Sequence, residues 1–130
     1  MPASKHAQAR LKKETIIWLA TSRNGGRPRA VPVWFLWDGK SFLVYSLPGQ
    51  KVRDIEANPD VALHLNTDPD GDDVVRIDGT ARLVPKQAPA YRVPAYVRKY
   101  SRQIKGYDWT PKSFSEQYHI AIRIQPTRFY

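Results

Sequence analysis

The chain has 130 residues, 21 Lys and Arg against 12 Asp and Glu, and no cysteine. This length predicts one domain that spans residues 1–130 and can bury a core unaided. The lack of cysteine excludes disulfides, thiolate metal sites and a cysteine nucleophile, and no apolar run is long enough to span a membrane. We expect a cytoplasmic protein, since residues 1–13 also lack the apolar segment of a secretory signal.

The net charge of +9 is unevenly distributed along the chain. Residues 1–53 carry ten basic against two acidic side chains, residues 54–80 carry one against eight, and residues 81–130 carry ten against two. Two basic flanks suit the attraction of an anionic ligand, whereas the acidic middle argues against a wholly basic nucleic-acid coat. Ordinary solubility charge is the alternative interpretation.

Hydrophobic periodicity and turn signals divide the first half of the chain into short elements. They are a helix at 4–14 capped by Ser4, strands at 15–21, 28–37 and 42–46, and a helix that begins near residue 50 and stops at 58. An Asn-Gly-Gly turn at 24–26 and the Asp38-Gly39 pair favour tight hairpins between successive strands. We therefore expect a meander of three strands, preceded by a flexible or helical extension at residues 1–10.

The second half of the chain predicts further strands and one helix. The elements are strands at 61–65, 74–84 and 118–124, an acidic turn at 67–73, a helix at 88–104 and a loop at 106–113. Pro94 is incompatible with a helix interior, so the helix should start or kink there. About six strands with few helices predict a mainly β fold, arranged as a small antiparallel barrel.

Metal and hydrolytic sites find little support in the sequence. The three histidines lie far apart on different elements, with no thiol to complete a ligand set; they are His6, His64 and His119. The acidic turn resembles a calcium loop, but Gly79 stands where an EF-hand carries Glu. The chain also lacks a nucleophile elbow, a phosphate-binding loop and a dinucleotide fingerprint. We predict no metal site.

Two cations occupy the first turn of the helix that begins near residue 50. Lys51 and Arg53 stand where helix-end N–H groups and the macrodipole favour acidic residues. An anion bound there by the N–H groups, the two cations and the hydroxyl of Ser46 would explain the placement. Alternatively, the cations point into solvent and Arg53 pairs with Glu56. The segment alone leaves both interpretations open.

A proline interrupts the strand predicted at 28–37. Pro32 cannot donate to a β-ladder, so it marks an edge strand, a bulge, or a place where backbone groups face a planar ligand such as a flavin ring. An edge strand protected from aggregation is the simpler alternative. The predicted hairpin would bring Trp34 close to the loop that leads to Lys51. A ring site and an anion site would then adjoin, as an FMN or a deazaflavin requires.

The order of these motifs resembles the pyridoxamine 5'-phosphate oxidase-like split β-barrel family, most closely its F420-dependent, flavin and deazaflavin oxidoreductase branch. The motifs are GRPRAVPVWF at 26–35, YSLPGQKVRDIEANPDVAL at 45–63 and IDGTARL at 77–83. The resemblance implies a six-stranded antiparallel split β-barrel of the FMN-binding type, which forms a homodimer with the cofactor between subunits. F420 is the first expected cofactor and FMN the second, because the basic flanks suit the phosphate and polyglutamate tail of F420.

The resemblance also implies three groups of cofactor-binding residues: a phosphate cluster, a strand against the ring, and C-terminal residues from the partner subunit. In that order they are Ser46, Gln50, Lys51 and Arg53, with Arg27 as a further anion contact; Val31, Pro32, Val33 and Trp34; and Trp109 and Arg128. Gly49 and Gln50 replace a more basic stretch seen in some relatives. No catalytic side chain is implied, because the cofactor carries the hydride chemistry and the protein orients it.

The implied function is an oxidoreductase that passes hydride between the bound flavin or deazaflavin and a small organic substrate. Pyridoxamine phosphate oxidase activity itself is not expected, since it needs basic residues in a longer C-terminal segment than one ending at Tyr130. A non-catalytic carrier of the same cofactor is an alternative. A nucleic-acid-binding barrel is another, suggested by the charge and by the aromatic residues Trp34, Trp37 and Tyr45.

Overall fold

The computed structural model describes residues 3–23 and 25–130. Within them, seven strands form one antiparallel sheet in the order β2-β1-β5-β6-β7-β4-β3. The strands are β1 Ile17–Thr21, β2 Arg29–Val33, β3 Leu36–Trp37, β4 Phe42–Ser46, β5 Asp60–His64, β6 Arg76–Leu83 and β7 Ile120–Phe129. The helices are α1 Lys5–Lys13, α2 Gln50–Ala57, α3 Pro94–Gly106 and α4 Pro111–Gln117, with a 3₁₀ turn at Ala90–Arg92.

The sheet curls into the expected mainly β split barrel, with seven strands instead of six. Both predicted hairpins are present, but the three strands do not form one continuous meander, because the segment predicted as one strand at 28–37 divides in two. β2 pairs with β1, while β3 pairs with β4 at the opposite edge of the sheet. Trp34 and Phe35 connect β2 to β3, so at these two residues the chain crosses from one edge of the curled sheet to the other.

Several helix boundaries follow the sequence prediction. Ser4 caps α1 by accepting a hydrogen bond from Ala7 N at 3.1 Å. α2 ends with Asn58 as its C-cap, and α3 starts at Pro94, where a proline removes only an N–H that lacks a helical partner. α4 was not predicted, and its first three residues lie in the segment predicted as a loop at 106–113. The turn predicted at 24–26 includes Asn24, which lies outside the described residues. Among the described helices, none has the length and apolar character needed to cross a bilayer.

Two apolar clusters pack against opposite faces of β4 and β7. The barrel interior holds alternate residues of both strands, such as Phe42 and Ile122, together with side chains from α1 and α2. The other face of β4 carries Leu43 and Tyr45, which are covered by α3, α4 and the 3₁₀ turn. β4 is therefore buried throughout its length. This double burial explains why its sequence shows no alternation of polar and apolar residues.

Helix α3 holds the corner between β2 and β3. The buried hydroxyl of Tyr100 accepts a hydrogen bond from Phe35 N at 2.8 Å and donates one to Thr15 O at 2.8 Å. Nζ of Lys99 donates to Phe35 O at 2.8 Å and lies 3.7 Å from the centroid of the Phe35 ring. The ring of Trp34 stacks on Tyr100, with centroids 4.6 Å and planes 4° apart. These contacts fix the position of Trp34, one of the residues expected to face a cofactor ring.

Gly79 approaches β7 too closely to be replaced by a larger residue. A Cβ at this position would lie 2.9 Å from Ile124 Cγ2 and 3.0 Å from the backbone oxygen of Gln125. Gly79→Ala should therefore lower the free energy of unfolding by about 1–3 kcal/mol, measured by urea denaturation. The matched control is Gly106→Ala, where a Cβ meets nothing within 4 Å and stability should be equal or higher. Equal stability of Gly79→Ala and the wild type would contradict this prediction.

The buried ammonium of Lys99 predicts a pH-dependent stability. Burial lowers the pKa of Lys99 to about 8 from an ordinary value of 10.5. Between these values the unfolded chain binds the proton and the folded chain does not, so stability should rise with pH. From pH 8 to 10, the free energy of unfolding should rise less in Lys99→Met than in the wild type, as followed by chemical denaturation.

The exposed Lys105 of the same helix supplies the control, since Lys105→Met should keep the wild-type rise. The comparison stops at pH 10 because burial raises the pKa of Tyr100. An unfolded tyrosine ionises near that pH, so tyrosine burial lowers stability at higher pH. Identical slopes for Lys99→Met and the wild type would contradict the assignment to Lys99.

Candidate functional site

A cavity of about 340 Å³ lies where the β2–β3 corner meets the α3–α4 end of the fold. The described residues that line it are Ile16, Pro32, Val33, Trp34, Tyr45, Lys51, Tyr107, Trp109, Phe114 and Tyr118. Six of these are aromatic and one is charged, which gives the cavity apolar walls and a single cation. Both the volume and the lining are typical of small-molecule and cofactor sites.

Strand β2 reaches the cavity through Pro32, Val33 and Trp34. On one side β2 pairs with β1, with Pro32 opposite Trp18. β2 ends the sheet on its other side, so no described strand uses the backbone groups there. The interpretation of Pro32 as an edge-strand proline is confirmed. The same free edge leaves backbone donors and acceptors for a ligand, so the expected ring contact stays a prediction that the fold permits.

Lys51 is the charged residue among the described residues of the lining. It lies in the first turn of α2, whose N-cap Gly49 supplies no side-chain hydrogen bond. Nζ of Lys51 donates to Ser46 Oγ at 2.8 Å, and that hydroxyl donates to Leu47 O at 2.7 Å. Burial lowers the pKa of Lys51. A cation withdrawn from water beside a neutral hydroxyl is stabilised by any phosphate or carboxylate that binds next to it.

The other two predicted residues of this helix lie outside the cavity lining. Arg53 is exposed, and its Nη2 donates to Gln50 Oε1 at 3.0 Å. Gln50 in turn donates through Nε2 to Asp54 Oδ1 at 2.9 Å. The structure therefore places Lys51 in the cavity lining with the buried Ser46 behind it, while Arg53 and Gln50 belong to a network around Asp54.

Three further predicted residues also lie away from the cavity within one chain. Arg27 is exposed in the segment before β2, and Val31 is partly buried against the barrel core. Arg128 pairs opposite Asp78 on β6, and its Cζ lies 4.8 Å from the centroid of the Tyr130 ring. Within one chain, Lys51 lines the cavity and Arg128 does not. The role expected for Arg128 was a contribution from the partner subunit.

The turn between α3 and α4 contributes a stacked aromatic pair to the cavity. The rings of Tyr107 and Trp109 lie 4.7 Å apart at 22°. The turn is a Schellman motif, in which Trp109 N donates to Ile104 O at 3.1 Å and Asp108 N to Lys105 O at 2.9 Å. Asp108 adopts the left-handed conformation that this motif requires, with φ of 58°. The backbone of the turn is thus fixed, which places both rings.

Sequence reasoning found Trp109 but missed other aromatic members of the lining. The missed residues are Tyr45, Tyr107, Phe114 and Tyr118. Phe114 belongs to α4, which begins with a capping box formed by Thr110 and Ser113 and has Pro111 in its first turn. A capping residue followed by proline is a helix-start signal, and it would have identified α4 and its apolar face.

Potential metal ligands lie outside the cavity lining. Nε2 of His6 contacts the Asp73 carboxylate at 2.9 Å, and the His64 ring stacks on Trp18 at 6.1 Å. The exposed carboxylates of the acidic turn approach one another within 4.8 Å; they belong to Asp68, Asp70 and Asp72. Exposed acidic groups commonly cluster without an ion, so this turn remains a surface feature.

Comparison with known proteins relates this chain to a family. Residues 3–130 match the family model described as pyridoxamine 5'-phosphate oxidase, and no curated protein sequence matches. A solved F420 reductase is 25% identical, with 98% of this chain and 98% of that chain covered and a TM-score of 0.71.

Two other solved structures share the fold at lower identity. A FAD-binding protein from Mesorhizobium loti is 20% identical, with 98% and 90% covered and a TM-score of 0.69. HutZ, the heme storage protein from Vibrio cholerae, is 16% identical, with 100% and 94% covered and a TM-score of 0.68. The family model spans nearly the whole chain. The chain therefore belongs to the pyridoxamine 5'-phosphate oxidase family, and the F420 reductase structure is consistent with the F420 and flavin branch that its motifs indicate.

Proposed function

We propose that this protein binds a flavin-type cofactor in the cavity and transfers hydride between that cofactor and a small organic substrate. F420 is the first candidate and FMN the second. The observation that carries the proposal is the aromatic cavity that joins the free edge of β2 to the half-buried Lys51. Family membership and the shared fold of the F420 reductase support it.

The cavity residues fit the parts of such a cofactor. Aromatic and apolar side chains can cover the faces of a planar ring, and the backbone edge of β2 can meet its polar rim. Lys51 offers an ammonium to one phosphate, and Ser46 orients that ammonium by accepting a hydrogen bond from it. A phosphate would also supply the counter-charge that the half-buried Lys51 ammonium lacks.

The protein's own contribution is binding, positioning and exclusion of water. When bound, the flavin or deazaflavin supplies the hydride chemistry. Lys51, oriented by Ser46, would hold the phosphate, while Tyr100 keeps Trp34 in place through ring stacking and through its hydrogen bonds to the β2–β3 corner. The aromatic side chains would exclude water from the faces of a bound ring, which strengthens the electrostatic contacts there.

A non-catalytic carrier of the same cofactor is the second candidate. The observation that favours it is the absence of Asp, Glu and His from the described lining, so proton transfer would fall to Lys51 or to a tyrosine. Heme is a weaker candidate than a flavin for this cavity. Heme iron is usually held by His, Cys or Met and in catalase by Tyr, and tyrosine is the one ligand type of these four among the described lining residues.

The proposal includes a homodimer with the cofactor at the subunit interface. Within one chain Arg128 is outside the described cavity lining, which suits a role toward the cofactor of the partner subunit. Light scattering of the purified protein should give about twice the 14.9 kDa mass of the chain. A stable monomer that binds cofactor at full affinity would contradict this part of the proposal.

Removal of the Lys51 ammonium provides the first test of the cofactor site. Lys51→Ala should weaken binding of F420 and of FMN by roughly ten- to a hundredfold, because a charge-assisted phosphate contact contributes about 1.5–3 kcal/mol. Fluorescence titration measures both affinities. Lys86→Ala, on the exposed loop after β6, removes the same charge and should leave both unchanged. Equal affinity of Lys51→Ala and the wild type would remove Lys51 from the site.

Turnover distinguishes the oxidoreductase from the carrier. Reduced F420 or reduced FMN is mixed with enone, quinone and nitro acceptors, and oxidation of the cofactor is followed by absorbance. The oxidoreductase should oxidise the bound cofactor faster than the same mixture without protein. Tight binding with no acceleration for any acceptor would favour the carrier, and failure to bind either cofactor would reject both functions.

A further inference from the structure

Helix α3 lies in a long stretch of the chain that holds basic residues and no acidic ones. Between Asp78 and Asp108 the sequence carries seven of the 21 Lys and Arg residues and none of the 12 Asp and Glu residues. Four of these seven cations belong to α3. Charge that serves solubility is usually a mixture of both signs, so a stretch of one sign this long requires another explanation.

Three cations of α3 form a line on its solvent side. The helix buries residues at the spacing i, i+4 and i+8, which are Tyr96, Tyr100 and Ile104. Exposed cations follow the spacing i, i+4 and i+7 on the opposite side, and we call them the basic stripe: Arg98, Arg102 and Lys105. The stripe is about 10 Å long, because each helical residue rises about 1.5 Å.

The basic stripe lacks a partner within residues 3–23 and 25–130. No oxygen atom there accepts a hydrogen bond from its three side chains, although arginines elsewhere in the chain pair with carboxylates. Lys105 lies in the last turn of α3, where the helix dipole favours a cation. Arg98 and Arg102 have no such compensation, and they repel each other at i and i+4. A bound anion would remove this repulsion.

A lipid surface does not suit the basic stripe. A helix that lies on an anionic membrane presents a basic face to the headgroups and inserts an apolar face into the lipid. The apolar face of α3 is packed in the core of the protein instead, and its three buried residues are at most 2% exposed. The helix therefore has no apolar face left to insert.

The stripe instead fits phosphate groups that repeat along a chain. Two of its cations are arginines, whose planar forks of N–H groups match the oxygens of a phosphate. Successive cations are about 6 and 4.5 Å apart along the helix axis, which suits repeated anions better than a single one. The same stripe of a second copy cannot be the partner, because like charges would oppose each other. A nucleic-acid backbone supplies the required pattern.

Exposed tyrosines stand at both ends of α3. Tyr91 precedes the helix and is 36% exposed, and Tyr107 follows it and is 63% exposed. Cζ of Arg92 lies 5.4 Å from the centroid of the Tyr91 ring, which adds a cation at that end. Single strands are bound by cations along the backbone together with aromatic rings on which bases stack. Trp37 and Tyr45, which suggested a nucleic-acid-binding barrel, are buried and do not serve in this way.

We propose that the basic stripe binds the phosphate backbone of a single-stranded nucleic acid, with Tyr91 and Tyr107 as stacking positions for its bases. Recognition is independent of base sequence, because contacts to phosphates carry no sequence information. Tyr107 also lines the cavity, whereas the three cations do not. The inference therefore does not depend on which cofactor the cavity binds, or on whether it binds one.

The test titrates the purified protein into fluorescein-labelled oligothymidylate and follows the anisotropy at several salt concentrations. For the wild type, the logarithm of the affinity should fall with the logarithm of the salt concentration at a slope of about −2, as three phosphate contacts to a single strand predict. Arg98→Gln/Arg102→Gln should raise the Kd about tenfold or more at low salt and flatten the slope by about 1–2. Arg98→Lys/Arg102→Lys keeps both charges and should retain the slope.

The matched control removes two exposed charges from other elements. Lys5→Gln/Lys40→Gln lowers the net charge equally and should leave both the Kd and the slope unchanged. Equal losses in this control and in Arg98→Gln/Arg102→Gln would overturn the proposal, since they would show attraction by net charge alone. Tighter binding of a duplex than of the single strand would also overturn it, because the bases of a duplex are already stacked.

Two further outcomes decide without any variant. Wild-type protein that binds no oligothymidylate at low salt, or that binds only vesicles of phosphatidylglycerol, would reject the proposal. Titration of F420 and FMN is a separate readout, in which Arg98→Gln/Arg102→Gln should match the wild type. Loss of nucleic-acid binding with normal cofactor binding thus tests the stripe, whereas loss of cofactor binding alone would concern the cavity.

Discussion

The hydroxyl of Tyr100 joins parts of the chain that the sheet alone would leave apart. β2 and β3 stand at opposite edges of the sheet, and the corner between them has no ladder partner for its backbone. Tyr100 supplies one by hydrogen bonding to Phe35 N and Thr15 O. Buried backbone groups need such partners, so the closure of the barrel depends on a side chain from α3. The position of Trp34 in the cavity follows from the same contact.

Three buried or half-buried ionised groups of the fold have different partners, and the difference separates structure from function. Lys99 donates to a backbone oxygen and lies over an aromatic ring, so its role in holding the corner is complete within the chain. Asp54 is surrounded by donors. Lys51 faces a neutral hydroxyl at the wall of an aromatic cavity. Among these groups, Lys51 gains most from a ligand, because an added anion would offset its desolvation.

The candidate site was predictable where it rests on local chemistry. Three features of the sequence depart from ordinary propensity: the cations in the first turn of α2, the serine that ends β4 and the proline of β2. In the structure, Lys51 and Pro32 line the cavity, and Ser46 contacts Lys51. The role of Arg53 was not predictable in this way. Its neighbour Gln50 connects it to Asp54, and that contact depends on side-chain conformations which no spacing rule specifies.

Periodicity, turn signals and proline placement were enough to predict the helices α1, α2 and α3, most strands and the split-barrel class, because these depend on contacts between near neighbours. Strand order, the division of the segment at 28–37 and the burial of both faces of β4 required the folded chain, since each depends on residues far apart in sequence. The positions of the aromatic residues around the cavity also required the folded chain. These residues come from β2, β4 and the α3–α4 region, and packing of the helices on the outer face of the sheet brings them to one cavity.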